Sequence, residues 1–161
     1  MSDMRIRRIV AATDLSPASV AAEKAAMSLA QAIHAEVVLL HCLAPLEATS
    51  VLTAPEVTSF LREQEQVVKA AVAERALRLG KRNARIKSLV VSSAAVPGIV
   101  ETSRKLAAGL IVIGTHGRTG LPRLMIGSVA ERVVRTAPCP VLTVPPERGR
   151  PTPVRRARRG A

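Results

Sequence analysis

Five short, unbroken apolar runs punctuate the chain: "RIVAAT" near residues 6–13, "EVVLLHCL" at 36–43, "RIKSLVV" at 85–91, "GLIVIG" at 109–114 and "CPVLTV" at 139–144. Each predicts a strand. Continuous rather than alternating hydrophobicity, rich in Val and Ile, is what a strand covered on both faces requires, and it points to a parallel sheet. Between the runs the apolar spacing becomes helical. "SPASVAAEKAAMSLAQAIH" (16–34) offers Ser16 as an N-cap and Pro17 at the first helical position, and it sets Ala21, Ala25, Leu29 and Ile33 on one face. "PEVTSFLREQEQVVKAAVAERALRLGK" (55–81) carries Leu61, Val68, Val72 and Leu79 at helical spacing, with Gly80 as a stop. "GIVETSRKLAAG" and "SVAERVVRTA" predict two more helices.

Strands and helices thus alternate, and right-handed crossovers between parallel strands make this a three-layer, doubly wound α/β domain around a five-stranded parallel sheet. A ligand in such a sheet sits beyond the carboxyl ends of the strands, where the strand order reverses. Two turns qualify, "ATDLS" after the first strand and "GTHGRTG" after the fourth. Segment 44–55, "APLEATSVLTAP", reads as a connecting loop near that end.

Composition agrees with this layout. The 161 residues suffice for one domain. They are 48% apolar but only 1% aromatic, so Val, Leu, Ile, Ala and Met must build the core. No run approaches the roughly 18 apolar residues that span a bilayer, and "MSDMRIRRIV" leads into a strand without a signal-peptide pattern, so a cytoplasmic location is expected. Cys42 and Cys139 stand in apolar contexts far apart, which suits reduced, buried thiols.

The net charge of +12 raises the prospect of a polyanionic partner. Residues 147–161, "ERGRPTPVRRARRGA", hold six arginines against one glutamate and so supply +5 of it. This Pro- and Arg-rich stretch reads as a disordered tail beyond a domain of residues 1–146. It has no aromatic residue for base stacking, so anionic-surface or nucleic-acid binding there is expected to be nonspecific and salt-sensitive.

The candidate chemistry lies in "GTHGRTGLPRLMIGSVAERVV" (114–134). Gly114, Gly117 and Gly120 leave the backbone open to close approach, and Gly127 and Ser128 open a helix whose free N–H groups and positive dipole end suit a phosphate. Neither G-x-G-x-x-G after the first strand nor G-x4-G-K-[ST] is present. Asp14, in "ATDLSP", offers a carboxylate for a ribose hydroxyl or for Mg²⁺, or it caps the first helix; Thr13 adds a hydroxyl or a backbone contact. His116 lacks the spacing of a base for Ser128, so a hydrolytic triad is not supported. His34 and His41 read as structural.

The spacing Gly114-x2-Gly117-x9-Gly127-Ser128, with "ATDLS" and the closing "APCPVLTVP", resembles the ATP-binding subgroup of the universal stress protein family over residues 5–146. The resemblance implies a Rossmann-like, adenine nucleotide alpha hydrolase-like fold and an ATP site. Ala12, Thr13 and Asp14 would border the adenosine, and the backbone at Cys42 would meet adenine. Ile113, Gly114, Gly117, Gly127, Ser128 and the Val129 backbone would line ribose and phosphates, with Arg118 on a phosphate. Mg²⁺ or Mn²⁺ would accompany the nucleotide, with Asp14 reaching it through water. The resemblance also implies a homodimer through the final strand, Val141, Leu142, Thr143 and Val144, whose edge a monomer would otherwise leave open.

The chain departs from the family pattern at Ser93, where a glycine is usual, at Ala130, where some relatives carry a hydroxyl, and at Ala12, where some carry proline. With only Asp3 and Asp14 as aspartates, there is little provision for a metal cage or a general base. A nucleotide-dependent stress-response or signalling module with weak or no hydrolysis is the expectation, and a slow ATPase or autophosphorylating enzyme is the alternative.

Overall fold

A computed structural model describes residues 5–45, 54–80, 85–115 and 127–147. Strands β1 (Arg8–Ala12), β2 (Glu36–Leu43), β3 (Ile86–Ser92), β4 (Leu110–Gly114) and β5 (Val141–Val144) alternate with helices α1 (Val20–Ile33), α2 (Ala54–Leu79), α3 (Ala95–Lys105) and α4 (Ser128–Thr136). All pairings are parallel, in the order β3-β2-β1-β4-β5. The two halves of the sheet wind outward from the β1/β4 junction, so the order reverses there. The fold is the single-domain, doubly wound parallel α/β architecture that the apolar runs predict.

Alternation along the central strands divides the core between the two faces of the sheet. Ile9, Ala11, Val37, Leu39 and Val112 pack against α1 and α2; Val10, Val38, Leu40, Ile111 and Ile113 pack against α3 and α4. Both faces are apolar because both are covered. β3 is the exception: Lys87 and Ser88 are exposed, because this strand forms one edge of the sheet. At the end opposite the strand carboxyl termini, Glu36 holds Arg8 (3.0 Å) and Lys87 (2.6 Å), and Arg8 also donates to the Leu106 carbonyl. The Lys87 hydrogen bond, more than any other contact, keeps the Glu36 carboxyl below its usual pKa.

The helices correct two expectations. On α1 the buried stripe is Ala22, Glu23, Ala26, Met27 and Ala30, beside the predicted face, whose Ala21, Ala25 and Leu29 are half-buried, with Leu29 packed on the core, while Ile33 is exposed. A short 3-10 turn at Pro17–Ser19 precedes α1. Ser16 does stand at the cap of that turn, with Pro17 following, but its side chain makes no capping bond. α2 begins at Ala54, inside the segment read as loop, and buries Val72 and Ala76 toward the sheet. Gly80 closes it, bonding to the Ala76 carbonyl where an added Cβ would press on the Ile86 side chain at 3.0 Å. Among the described residues no helix is long and apolar enough to cross a membrane.

Candidate functional site

At the carboxyl ends of β1, β2 and β4 the sheet opens into a cleft of about 280 Å³. Its position follows from topology: the chain leaves β1 and β4 in opposite directions, and the connecting segments cannot fill the gap between them. Ala12, Thr13 and Asp14 form one wall and Cys42 the base of another. Ile113 and Gly114 enter from β4, and Gly127, Ser128 and Val129 close the side formed by the start of α4. Nine of the residues expected at the site therefore share one cleft. Gly117 and Arg118, like Gly120 and His116, lie outside the described residues.

The β1 turn is built by side-chain hydrogen bonds. Asp14 Oδ1 accepts the Ser16 amide at 2.9 Å, and Thr13 Oγ1 accepts the Leu15 amide at 3.0 Å. Leu15 itself sits in the left-handed region, at φ 63°, while its side chain packs on the core. A leucine tolerates that conformation only where its surroundings hold it. Two bonds tie the turn to β2: the Thr13 amide donates to the Leu40 carbonyl at 2.9 Å, and His41 Nδ1 donates to the Thr13 carbonyl at 2.8 Å. His41, expected to be structural, does this work from the cleft lining.

Beneath the turn is a buried polar cluster that the sequence reading missed. Glu23, whose side chain is fully enclosed, accepts hydrogen bonds from Thr13 Oγ1 (2.6 Å) and Ser19 Oγ (2.9 Å) on Oε1. Arg75 of α2 reaches its Oε2 at 3.3 Å and donates a second bond, 2.9 Å, to the Leu15 carbonyl. A carboxylate on the inner face of an otherwise apolar helix was the available signal. It became visible only once the true phase of α1 was known.

On the opposite wall, Gly127 has φ −58° and ψ 147°, a conformation open to any residue, so this glycine does not serve backbone freedom. Its amide donates to the Thr115 carbonyl at 2.7 Å, and a Cβ would stand only 3.0 Å from that oxygen. The constraint is close approach. It brings the start of α4 against the end of β4, so the Ser128, Val129 and Ala130 amides, ahead of the first helical bond from Glu131 to Gly127, stand at the cleft. At the floor, Gly98 of α3 lies so near β2 that a Cβ would be 2.7 Å from Cys42 Sγ. Burial pushes the Cys42 thiol up to about 11 and raises that of Cys139, so at neutral pH both stay protonated and are poor nucleophiles or metal ligands. Among the described residues no cluster of His, Cys, Asp or Glu could cage a metal ion. The cleft thus combines an apolar slot, one carboxylate and a row of helix-start amides.

A cleft at the switch point of a doubly wound parallel sheet, faced by a helix N-terminus, lies where ligands sit in small α/β domains of this class. The chain belongs to the universal stress protein family, whose pattern it matches over residues 5–145. It is 35% identical over 145 residues to a universal stress protein of Methanocaldococcus jannaschii, covering 86% of this chain and 81% of the relative. In structure it is similar to universal stress protein UspA from Lactobacillus plantarum, with TM-score 0.76 and 24% identity over 87% of this chain and 98% of the other. It is also similar to a universal stress protein solved in complex with cAMP, with TM-score 0.67 and 25% identity over 87% and 97%. A third likeness is to an Archaeoglobus fulgidus universal stress protein in complex with dAMP, with TM-score 0.59 and 19% identity over 87% and 98%.

Proposed function

We propose that this chain is an ATP-binding universal stress protein, a nucleotide-dependent module that holds its ligand and turns it over slowly or not at all. One observation carries the reading: an apolar slot and a helix N-terminus converge on the switch-point cleft. The slot suits a base and the amides suit phosphate. Relatives solved with cAMP and dAMP support an adenine ligand. Ala12, Thr13 and Asp14 would border the adenosine, with the Cys42 backbone toward adenine. Ile113, Gly114, Gly127, Ser128 and Val129 would line the ribose and phosphates, joined by Gly117 and Arg118. Mg²⁺ or Mn²⁺ would travel with the phosphates, held largely by them and by water. Asp14 already accepts the Ser16 amide and is the one carboxylate among the described residues of the cleft lining.

Calorimetric titration with ATP and Mg²⁺ tests the reading, with cAMP and dAMP as comparisons. One ATP bound per chain, more tightly than either monophosphate, is expected. A chain that takes up the monophosphates and refuses ATP would sink the ATP assignment. Among the described lining residues Asp14 and His41 are both engaged in holding the β1 turn, so turnover should stay below roughly 1 s⁻¹, the lower bound typical of kinases.

The same reading includes a cytoplasmic homodimer joined through β5, with residues 147–161 as a tail outside the domain. Among the described residues β5 pairs only with β4, and Leu142 is exposed. Leu142→Lys should convert the dimer to monomer in sedimentation velocity. Wild-type protein that is already monomeric at micromolar concentration would remove the dimer from the account.

A further inference from the structure

We propose that Arg75 is a positioning residue for the nucleotide site, bracing the β1 turn through Glu23 and the Leu15 carbonyl and thereby coupling α2 to ligand occupancy. This inference rests on the nucleotide reading and deepens it. Arg75 comes from a helix that supplies no lining to the cleft. Its guanidinium forks: one nitrogen meets Glu23 Oε2 at 3.3 Å, the other donates to the Leu15 carbonyl at 2.9 Å. Glu23 passes the constraint to Thr13 Oγ1 at 2.6 Å and to Ser19 Oγ at 2.9 Å. Two of the residues so held, Thr13 and Leu15, flank Asp14.

The left-handed backbone at Leu15 gives the brace something to hold. A non-glycine residue leaves that region when its restraints go, and the Asp14 carboxylate would move with it. The Ser19 amide donates to the Ser16 carbonyl at 3.2 Å, and the single Ser19 hydroxyl proton is shared between that oxygen and Glu23, so the cluster closes the turn from its far end as well. α2 and the cleft are thus two sites joined by one contiguous network, and linkage makes their coupling reciprocal. A ligand that favours the braced turn must also favour the docked position of α2.

The decisive variant is Glu23→Leu/Arg75→Met, which removes the pair together and leaves no buried charge unpaired. Arg75→Lys is the companion: it keeps the charge but replaces two separate guanidinium nitrogens by one compact ammonium on a shorter side chain, so the paired geometry to Glu23 and the Leu15 carbonyl is lost. ATP with Mg²⁺ is the probe. Affinity is read by calorimetry, and hydrogen exchange is read at residues 13–16 and 70–79 with and without ATP. The double variant should bind about tenfold more weakly, within the usual span of a coupling free energy, and Arg75→Lys should fall between it and wild type. ATP should slow exchange in residues 70–79 of the wild type and no longer do so in the double variant. Should the double variant fail to fold, Arg75→Lys carries both readouts. Wild-type affinity in the variants, or wild-type α2 exchange indifferent to ATP, overturns the inference and leaves the nucleotide reading standing. Wild type that binds no ATP ends both, before any substitution is compared.

Discussion

Gly127→Val weakens adenine-nucleotide binding by roughly a hundredfold while the chain stays folded. A valine at this position adopts the observed backbone angles without strain, so the local conformation survives. Its Cβ would meet the Thr115 carbonyl oxygen at 3.0 Å, with two methyl groups beyond it, and the start of α4 must back away from β4. That displacement takes the Ser128 and Val129 amides out of line with the cleft and puts hydrocarbon in their place. Losing several preorganised donors to a charged ligand is expected to cost about 3 kcal/mol of binding, or roughly a hundredfold in Kd. Overpacking at one helix terminus should cost about 1–2 kcal/mol of stability. Circular dichroism of wild-type shape, together with a correspondingly weakened ATP titration, is the predicted pair of results. Gly127→Val binding ATP with wild-type affinity would separate α4 from the phosphates.

The largest effect on stability is expected at Glu23. Glu23→Leu removes the acceptor of the Thr13 and Ser19 hydroxyls and of Arg75 at once, in a position that solvent does not reach. Breaking one side of a buried pair typically costs 3–5 kcal/mol. Arg75 keeps its bond to the Leu15 carbonyl and is 23% exposed, so water relieves part of the loss and about 3 kcal/mol is expected. Adding Arg75→Met should restore most of it, because the second substitution removes the stranded charge and leaves an apolar contact. Urea unfolding followed by circular dichroism gives the comparison, since the chain has no Trp or Tyr to report by fluorescence. Equal losses in the single and double variants would mean that the ion pair is not what matters there.

These two positions also mark how far the sequence could be read. Strand positions were legible because burial on both faces leaves an unbroken Val and Ile signature, and the run at 36–43 coincides with β2. The switch-point cleft followed from the order of elements, and Gly127, expected there, lines it with a geometry that reflects space rather than positive φ. Left-handed backbone occurs instead at Leu15, a residue type that gives no local sign of it. Glu23 and Arg75 were invisible for a related reason. They are 52 positions apart, and their pairing depends on which face of α1 turns inward and on how α2 packs across it. Patterns of period 2 or 3.6 report which face is apolar; they do not report which polar group is enclosed by a distant helix.

The most direct test is to denature freshly purified protein and identify what it releases by chromatography and mass spectrometry. With no Trp or Tyr in the chain, bound adenine would already be conspicuous in the ultraviolet spectrum of the native protein. The account predicts close to one adenine nucleotide per chain, chiefly ATP, and rebinding of ATP with Mg²⁺ after it is stripped. Protein that releases no adenine nucleotide and also refuses added ATP with Mg²⁺ would contradict it, leaving the cleft as scaffold.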